Sequence, residues 1–408
     1  MIPIGMAGQH KVDTITADEI PAFVAAVEGA FHEDPTSEDI ERITKKLEVD
    51  RTLAVRDGGN VVAGTSIYSR RMTVPGGELP FAGVTQVGVL PTHRRRGLLT
   101  ALMRRQLDDV RTAGNEPIAA LWAAEGAIYG RFGYGMAALA ANIDVNTAEL
   151  RVRTPTTLRP RLLAPADAVD AMGPIHAAVR RTTPGMIDRD GPWWEVRIHD
   201  PERERDGASA LRAAVIDDAA YALYAVKSKV EEWRFASEVV VREVMAATPE
   251  GYAAIWDFLL SLDLTRRLQY EIAPSDDPLM HLVTEPQAVP MRVGEALWVR
   301  LVDVPPALRE RAYAAPFEVV FEVEDGFCPW NAGRFALRWD GETASCAPTS
   351  LPAGLAVSAT DLGAAYLGGT TLTSLARAGR VTELRTGALA ATSRAFRGDV
   401  APWCPEIF

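Results

Sequence analysis

The stretch that decides the fold is VTQVGVLPTHRRRGLLTALMRRQLDDVRTAG (residues 84–114), followed by IAALWAAEGAIYGRFGYG (residues 118–135). Its first valines predict a strand that ends at Leu90–Pro91, and the basic turn THRRRG opens directly into a helix. Apolar residues recur in that helix at close to the helical period: Leu98, Leu99, Leu102, Met103, Leu107 and Val110. A second strand is predicted over 117–123, so the order is strand, basic turn, helix and strand.

The basic turn places Gly97 and a run of arginines at the N-terminus of this helix. Free backbone N–H groups and the positive end of the helix dipole converge there, and both favour a bound pyrophosphate. The turn alone is also compatible with an arginine-rich helix start that is merely solvated or that contacts nucleic acid. A second motif, Tyr129-x-x-x-Gly133-Tyr134, follows the second strand and favours the phosphate interpretation.

Together, Arg94-x-x-Gly97-x-Leu99 and Tyr129-x-x-x-Gly133-Tyr134 resemble two motifs of the GNAT acetyltransferases. That family carries Arg/Gln-x-x-Gly-x-Gly/Ala on the turn and Tyr-x-x-x-Gly-Phe/Tyr after the next strand, so Leu99 departs from the general pattern. The resemblance implies a catalytic GNAT domain over the first block of the chain, residues 1–155, with acetyl-CoA as its co-substrate.

Composition is that of an ordinary soluble globular protein, with 408 residues of which 48% are hydrophobic and 24% charged. A chain of this length predicts roughly two to four domains. The formal net charge of −11 argues against a general nucleic-acid binder and favours cationic ligands through long-range attraction.

Cysteine and histidine usage indicates neither a disulfide framework nor a metal site. The cysteines Cys328, Cys346 and Cys404 are isolated and the histidines lack ligand spacing, so we expect a reducing compartment and no metal. Residues 1–13 lack the basic-then-apolar pattern of a signal peptide, and no apolar run reaches the ~18 residues needed to span a bilayer. We therefore expect a cytoplasmic protein without a membrane span.

Two further blocks follow the first. The second, residues 156–290, repeats the succession of strand, helix, meander, helix and strand, but its equivalent turn, 246–251, has no arginine and carries Glu250. We interpret it as a duplicated domain that has lost cofactor binding. The third, residues 291–408, combines short strands with helices and predicts a small α+β domain. The expected fold class of the chain is therefore α+β, or mixed α/β.

A degenerate duplicate followed by this third block makes the whole chain similar to the Eis (enhanced intracellular survival) family of N-acetyltransferases. The run from Pro91 to Leu99 matches that family's version of the turn, including Leu99. The resemblance implies tandem GNAT-fold domains, of which the second is degenerate, and a C-terminal domain like the sterol carrier proteins. It also implies a homohexamer.

The same resemblance assigns the residues that would bind acetyl-CoA. Unpaired backbone groups on the strand before the turn would align the pantetheine arm and the thioester; these belong to Val87, Gly88 and Val89. Ala124 and Glu125 would line the opposite side. Backbone N–H groups of the turn and helix start would bind the pyrophosphate; these belong to Arg95, Arg96, Gly97, Leu98, Leu99 and Thr100.

Tyr129 matches the position of the family's general acid. A phenol with a reference pKa near ~10 keeps its proton at neutral pH and can give it to a departing thiolate. The alternative is a packed aromatic beside Phe132 and Tyr134.

The resemblance also implies that the C-terminal carboxylate, here that of Phe408, enters the active site as the general base. The apolar tail 401–408, stiffened by two prolines, fits burial. A carboxylate with a reference pKa of ~3.5 is a weak base unless it is desolvated, and it could instead orient the ammonium and relay its proton through water. A tail docked for packing alone is the alternative.

Three carboxylates are predicted to contact the substrate: Glu33, Asp34 and Glu406. Glu33 and Asp34 lie where the family's substrate cleft begins, and a solvated acidic helix end is the alternative interpretation. The family's penultimate residue is often acidic, whereas here it is Ile407, with Glu406 one place earlier.

These residues predict an N-acetyltransferase that acts on amines of cationic acceptors, of the aminoglycoside, polyamine or lysine type. Transfer should be direct, in a ternary complex, since no cysteine is placed beside a base that would support an acyl-enzyme. Two alternatives stay open: another double-GNAT acyltransferase with a different donor or acceptor, and a lipid-binding carrier whose acetyl-CoA site is vestigial.

Overall fold

The computed structural model describes residues 11–154 and 156–408. Residues 1–10, part of the N-terminal segment considered above, and Pro155, at the predicted end of the first block, lie outside the described residues. The chain forms two compact units. The first contains the described residues up to Ala137 together with Leu297–Arg397 and Ile407–Phe408, and the second contains Ala138–Ala296 and Gly398–Glu406.

In the N-terminal part of the first unit, the described residues from 11 onward form six strands and four α-helices. The strands are β1 (Val12–Thr14), β2 (Leu53–Asp57), β3 (Asn60–Val74), β4 (Gly77–Val89), β5 (Ile118–Trp122) and β6 (Gly135–Met136). The helices are α1 (Ile20–Ala30), α2 (Ser37–Lys46), α3 (Leu98–Ala113) and α4 (Gly126–Tyr129).

The described part of the second unit, which leaves out residue 155, forms the next nine strands and four helices. The strands are β7 (Leu139–Asn146), β8 (Arg161–Leu163), β9 (Arg212–Ile216), β10 (Ala220–Lys227), β11 (Val230–Glu231), β12 (Arg234–Phe235), β13 (Ser237–Ala246), β14 (Thr265–Pro274) and β15 (Met291–Glu295). The helices are α5 (Pro165–Arg180), α6 (Gly191–Ile198), α7 (Pro249–Leu260) and α8 (Leu279–Leu282).

The rest of the chain completes the first unit. Its strands are β16 (Leu297–Leu301), β17 (Phe317–Glu324), β18 (Gly333–Trp339), β19 (Ala344–Pro348), β20 (Leu355–Ser358) and β21 (Thr382–Glu383). Its helices are α9 (Val304–Arg309), α10 (Ala359–Ala365), α11 (Leu372–Arg377) and α12 (Ala388–Phe396).

Three main sheets organise these elements. The first unit has a seven-stranded sheet in the order β1-β2-β3-β4-β5-β16-β6 and a five-stranded sheet in the order β19-β18-β17-β20-β21. The second unit has a seven-stranded sheet in the order β15-β7-β14-β13-β10-β9-β8. Both seven-stranded sheets are mostly antiparallel with one parallel pair at the centre, β4 with β5 and β13 with β14. This α+β architecture confirms the predicted fold class.

Helix α3 forms as its sequence period predicts. Its buried side chains include Leu98, Leu102, Leu107 and Val110, which face the sheet. The helix begins after Gly97, with φ +84°, and ends at Gly114, with φ +70°. Strand β5, which α3 precedes, is buried along nearly all its length, as expected of a central parallel strand.

Three strands pair with strands outside the sequence block in which each was placed. Strand β16, expected in the third block, pairs with β5 and β6 in the first unit's larger sheet. Strand β7 and strand β15, expected in the first and third blocks, pair with each other in the second unit. The units therefore change at 137/138 and 296/297, whereas the sequence blocks were divided at 155 and 290. Strand pairing depends on contacts far apart in the chain, which local patterns do not encode.

Candidate active site

Strands β4 and β5 begin side by side and then part. Their parallel ladder has three residue pairs, from Phe81 opposite Ile118 to Gly83 opposite Ala120. Beyond Gly83, β4 continues to Val89, so the predicted residues Val87, Gly88 and Val89 lie past the end of this ladder. Backbone groups in such a gap are available to an extended, amide-bearing ligand.

A β-bulge bends β4 at the same place. Thr85 pairs with Ser66 and Gly88 pairs with Gly64, so Gln86 and Val87 together lie opposite a single residue of β3. Gln86 has a φ of +52°. A bulge bends its strand and increases the local twist, which turns the end of β4 away from β5. The sequence carries no signal for this bulge, because glutamine is not a residue type that marks a positive φ.

The turn after β4 leads into an uncapped helix N-terminus. Gly97 occupies the N-cap position of α3 in the left-handed conformation and no side chain caps the helix. The first intrahelical bond joins the N–H of Ala101 to the carbonyl of Gly97, at 3.0 Å. The preceding N–H groups have no intrahelical acceptor by the geometry of a helix; they belong to the predicted residues Gly97, Leu98, Leu99 and Thr100.

The arginines of the turn differ in what they contact. Arg94 donates from Nη2 to the carbonyl of Ala30 at 2.7 Å, which ties the end of α1 to the turn. Arg96 donates to the carbonyl of Thr92 at 3.1 Å. Arg95 is exposed and has a φ of +63°. The structural role of Arg94 could not be read from the run of three arginines.

The other side of the gap is formed by the end of β5 and by α4. Ala124 and Glu125 follow β5 and are exposed, and Glu125 is the N-cap residue of α4. Helix α4 ends at Tyr129. The ring of Tyr129 packs in one apolar cluster with side chains from β4 and α3, including Val84 and Met103, and with Val87 and Leu99 at its edge.

Tyr129 is 8% exposed. Burial raises its pKa to about 12, because a phenolate loses hydration in an apolar environment. Its ring meets that of Tyr134 edge-on, with centroids 6.1 Å apart. The phenol therefore stays protonated across the physiological pH range and can serve as a proton donor.

The C-terminal residue lies at the point where β4 and β5 part. The ring of Phe408 meets that of Phe81 edge-on, with centroids 6.0 Å apart. A Cβ at Gly83 would lie 3.4 Å from the ring of Phe408. The first and last residues of β4 in the ladder thus both contact the end of the chain.

An acidic segment adjoins the same strand. Helix α1 packs on β4 so closely that a Cβ at Gly88 would lie 3.0 Å from the Cα of Val27. The segment after α1 carries Glu33, whose N–H donates to the carbonyl of Glu28 at 3.0 Å. Burial, followed by the charges of Glu33 and Asp39, raises the pKa of the Glu28 carboxyl.

The predicted residues Glu33 and Asp34 are both exposed. They follow the half-buried Glu28 in the chain, and the guanidinium groups of Arg42 and Arg94 lie in the same region. Glu28 has no signal of its own in the sequence, because it lies five residues before Glu33 and α1 ends between the two, at Ala30.

Glu406 lies in a buried ion-pair network of the second unit. It is 6% exposed, and the Nε of Arg189 donates to its Oε1 at 2.5 Å. Arg189 also binds Glu243, at 2.6 Å, and Arg197 binds Glu243 at 2.9 Å. Since its carboxylate is engaged by Arg189, this placement favours a structural role for Glu406 over the predicted substrate contact.

The second unit repeats the parting of strands but fills the gap. Its parallel ladder ends at Val241 opposite Tyr270. The indole N–H of Trp403 donates to the carbonyl of Ile272 on β14, at 3.0 Å. In the second unit, the C-terminal tail therefore occupies the gap between β13 and β14. The corresponding gap between β4 and β5 in the first unit is open.

Helix α7 of the second unit is also capped, unlike α3. The hydroxyl of Thr248 accepts from the N–H of Gly251 at 3.0 Å. Gly251 is needed for packing, since a Cβ there would lie 2.7 Å from the carbonyl oxygen of Ala219. A capped N-terminus with Glu250 in its first turn is poorly suited to a phosphate.

Within the described ranges 11–154 and 156–408, no group of three or more histidine, cysteine or carboxylate side chains is placed to hold a metal ion. The helices of those same ranges are each too short or too polar to cross a membrane.

Comparisons with known protein families match three parts of the chain. The acetyltransferase (GNAT) domain family matches residues 11–137, and a second acetyltransferase (GNAT) domain family matches residues 185–301. The sterol carrier protein domain family matches residues 304–405. Two acetyltransferase-type domains and a sterol-carrier-type domain therefore follow one another along the chain.

Individual proteins are similar over nearly the whole length. An uncharacterized N-acetyltransferase of Streptomyces avermitilis is 45% identical, with 91% of this chain and 93% of that protein covered. The N-acetyltransferase Eis of Mycobacterium tuberculosis is 32% identical, with 94% and 96% covered. The crystal structure of Eis1 from Mycobacterium abscessus superposes with a TM-score of 0.87 at 32% identity, covering 98% and 100%.

Proposed function

The chain belongs to the Eis family of GNAT N-acetyltransferases, and we propose that it transfers acetyl from acetyl-CoA to an amine of a cationic acceptor. The acceptor classes we propose are aminoglycosides, polyamines and exposed lysine side chains. One observation carries the proposal: the gap between β4 and β5 opens beside an uncapped helix N-terminus that begins at Gly97.

Acetyl-CoA would supply the activated thioester. The residues present fit it, since Val87, Gly88 and Val89 lie beyond the end of the ladder between β4 and β5, and the helix start offers four N–H groups for a pyrophosphate. Arg95 and Arg96 would add positive charge, and Ala124 and Glu125 would line the far wall. Main-chain donors fixed in this way need no reorganisation when charge develops on the thioester oxygen.

Tyr129 would act as the general acid. Transfer forms a bond between the amine nitrogen and the acetyl carbon and breaks the bond from that carbon to sulfur. The Tyr129 hydroxyl would protonate the departing sulfur, and solvent would return a proton to the phenolate. Burial keeps the phenol protonated at neutral pH, so its proton is present when the bond from carbon to sulfur breaks.

The carboxylate of Phe408 would receive or relay the amine proton. The phenyl ring of Phe408 packs against Phe81 and Gly83, where the gap between β4 and β5 begins. A carboxylate there can orient an ammonium by charge-assisted hydrogen bonding and pass one of its protons on as the nitrogen attacks. Direct attack in a ternary complex requires no covalent intermediate on the protein.

The acidic segment beside β4 supports a cationic acceptor. Glu33 and Asp34 are exposed there and Glu28 is half-buried behind them. The carboxylates of Glu33 and Asp34 would attract polyvalent cations, and more strongly at low ionic strength.

We propose that the second GNAT-like domain, 156–290, has lost donor binding, for which Trp403 in its gap and the cap on α7 are the support. We also propose a homohexamer in the cytoplasm, on the resemblance to the family alone. Light scattering on the purified chain tests the oligomeric state.

The lipid-carrier alternative meets an obstacle in the C-terminal part of the first unit. The guanidinium of Arg311, 2% exposed, stacks on the rings of Tyr313 and Phe396 and donates to the carbonyl of Phe396 at 3.0 Å. A fixed cation at this point of the apolar interior disfavours a bound hydrocarbon chain.

The test of the proposed function is acetyl-CoA-dependent release of free thiol with a panel of kanamycin, spermidine and a lysine peptide. Mass spectrometry should show one acetyl group added to at least one acceptor. Titration calorimetry with acetyl-CoA runs in parallel. Binding without turnover points to an untested acceptor, whereas the absence of acetyl-CoA binding contradicts the proposal.

A further inference from the structure

Arg300 lies in the interior of the first unit, directly behind the motif that contains Tyr129. It belongs to β16 and is 0% exposed. Its Nη2 lies 2.5 Å from Oδ2 of Asp325. Asp325 is itself held in place, because its Oδ1 accepts from the N–H groups of Phe327 and Cys328 at 3.2 and 2.8 Å. The ion pair joins the larger sheet of this unit to the loop that follows β17.

The rest of the guanidinium faces the motif. A Cβ at Gly133 would overlap Nη1 of Arg300, so only a glycine leaves room for this arginine. Neither Nε nor Nη1 has a hydrogen-bond partner among the described residues, and the buried hydroxyl of Tyr134 has none there either. The charge of Arg300 acts on Tyr134, since it opposes the rise that burial causes in the pKa of that phenol.

Gly133 and Tyr134 connect Arg300 to Tyr129. The N–H of Tyr134 donates to the carbonyl of Tyr129 at 3.3 Å, and the N–H of Gly133 donates to the carbonyl of Gly130 at 3.0 Å. The two tyrosine rings meet edge-on at 6.1 Å. A displacement of Arg300 would therefore reach Tyr129 through both backbone and ring contacts.

Stability alone does not explain this arrangement. A buried ion pair often contributes no more than well-packed apolar side chains of similar volume, and each unpaired buried N–H adds a cost. Proteins retain unpaired buried polar groups, despite their cost in stability, mainly where those groups serve a function. Orientation of an adjacent reactive side chain is a role that needs rigid packing at this position.

We propose that Arg300 is a positioning residue for Tyr129. Its guanidinium, fixed by Asp325, occupies the space at Gly133 and holds residues 130–134 so that the Tyr129 hydroxyl points at the departing sulfur. This inference rests on the proposed function of Tyr129 as the general acid.

The test is a double-mutant cycle between Arg300→Met and Tyr129→Phe, measured by thiol release with the amine of the panel that turns over fastest. Arg300→Met should lower kcat about tenfold in the wild-type background, and less than about twofold when Tyr129 is already phenylalanine, because no acid then remains to be positioned. The KM for acetyl-CoA should not change in Arg300→Met.

A matched control separates positioning from general damage to a buried arginine. Arg311 is buried in the same unit and donates to the carbonyls of Ala312 and Phe396, at 3.1 and 3.0 Å. Arg311→Met should show the same factor in both Tyr129 backgrounds. Asp325→Asn keeps an acceptor for the loop N–H groups but weakens the ion pair, and it replaces Arg300→Met if that variant does not fold.

Three outcomes are distinguishable. An equal loss for Arg300→Met in both backgrounds overturns the positioning role and leaves the general acid intact. Full activity of Tyr129→Phe overturns the acid and the positioning role together. Crystal structures give a readout that needs no turnover: residues 129–134 should be displaced in Arg300→Met and unchanged in Arg311→Met, and an unchanged segment in both overturns the inference.

Discussion

The ring of Phe408, the last residue of the chain, lies edge-on against the ring of Phe81, with centroids 6.0 Å apart and planes at 60°. Phe81 is the first residue of the three-pair ladder between β4 and β5. Gly83, where that ladder ends, lies under the same ring. The chain therefore ends beside the gap in which we place the thioester, and we propose that its terminal carboxylate takes part in the transfer.

Extension of the chain by one glycine after Phe408 tests that role. The added residue removes the charge from its position and places a new carboxylate about 3.8 Å further along the chain. We expect kcat to fall about tenfold or more, because the amine loses its oriented acceptor, with little change in acetyl-CoA affinity. Steady-state kinetics and calorimetry measure the two quantities.

The control is Ile407→Ala, which alters an exposed neighbouring side chain (65% exposed) and leaves the terminus in place. It should retain wild-type kcat. An extended chain as active as the wild type would assign the tail a packing role only.

Gly97 should determine donor affinity through its backbone. A Cβ at Gly97 meets no atom within 4 Å, so the cost of Gly97→Ala comes from its φ of +84°. That cost is roughly 1–2 kcal/mol, and relaxation of the turn would move the N–H groups off the pyrophosphate. We expect the KM for acetyl-CoA to rise about tenfold for a comparable loss of binding energy.

Gly114→Ala is the matched control for Gly97, because Gly114 has a φ of +70° at the other end of the same helix. Both variants should lose similar thermal stability. Equal acetyl-CoA KM values for the two would show that the helix start does not bind the donor.

Glu33 should contribute to acceptor binding by its charge. Glu33→Gln keeps the shape of the side chain and removes its negative charge beside Glu28. We expect the KM for a polyamine to rise about threefold at low salt, less at high salt, since exposed charges are screened. A KM for spermidine that is unchanged at both salt concentrations would remove Glu33 from the site.

Burial of His176 in its neutral form should make the second unit less stable at acidic pH. Burial, with the positive charge of Arg189, lowers its pKa from 6.5 to about 3, so the contact with Glu406 at 3.9 Å involves a neutral imidazole. In the unfolded chain the imidazole binds a proton as the pH falls below 6.5, whereas in the folded chain it does not. Stability should therefore be lost on acidification, by about 1.4 kcal/mol per pH unit below that value.

Thermal melts at neutral and mildly acidic pH measure this loss. His176→Gln should flatten the pH dependence of Tm, whereas the exposed His281→Gln should leave it unchanged. An equal slope in the wild type and in His176→Gln would assign the acid sensitivity to other groups.

The elements of the first domain were predictable because their signals are local. The period of α3 and the glycines that begin and end it lie within one short stretch, and the structure has the helix at Leu98–Ala113. Strand β5 was expected over 117–123 and occupies Ile118–Trp122. Tyr129 and Gly97 occupy motif positions, so the family resemblance identifies them from the sequence alone.

Features that depend on distant parts of the chain were not predictable. The insertion of β16 between β5 and β6 joins residues far apart in sequence. The substrate contact of Glu406 stays a prediction from the family resemblance, and the contact of its carboxylate with Arg189 has no signal in the sequence. The bulge at Gln86 and the space for Arg300 at Gly133 follow from three-dimensional packing, which single residue types do not reveal.

The most direct test of the central claim is the rate of thiol release by Tyr129→Phe, compared with the wild type at saturating acetyl-CoA and amine. Tyr224→Phe, a buried tyrosine of the second unit, is the control. We predict that Tyr129→Phe lowers kcat by about a hundredfold, within the usual contribution of a general acid, while acetyl-CoA binds with unchanged affinity. A kcat equal to that of the wild type and of Tyr224→Phe would contradict the mechanism.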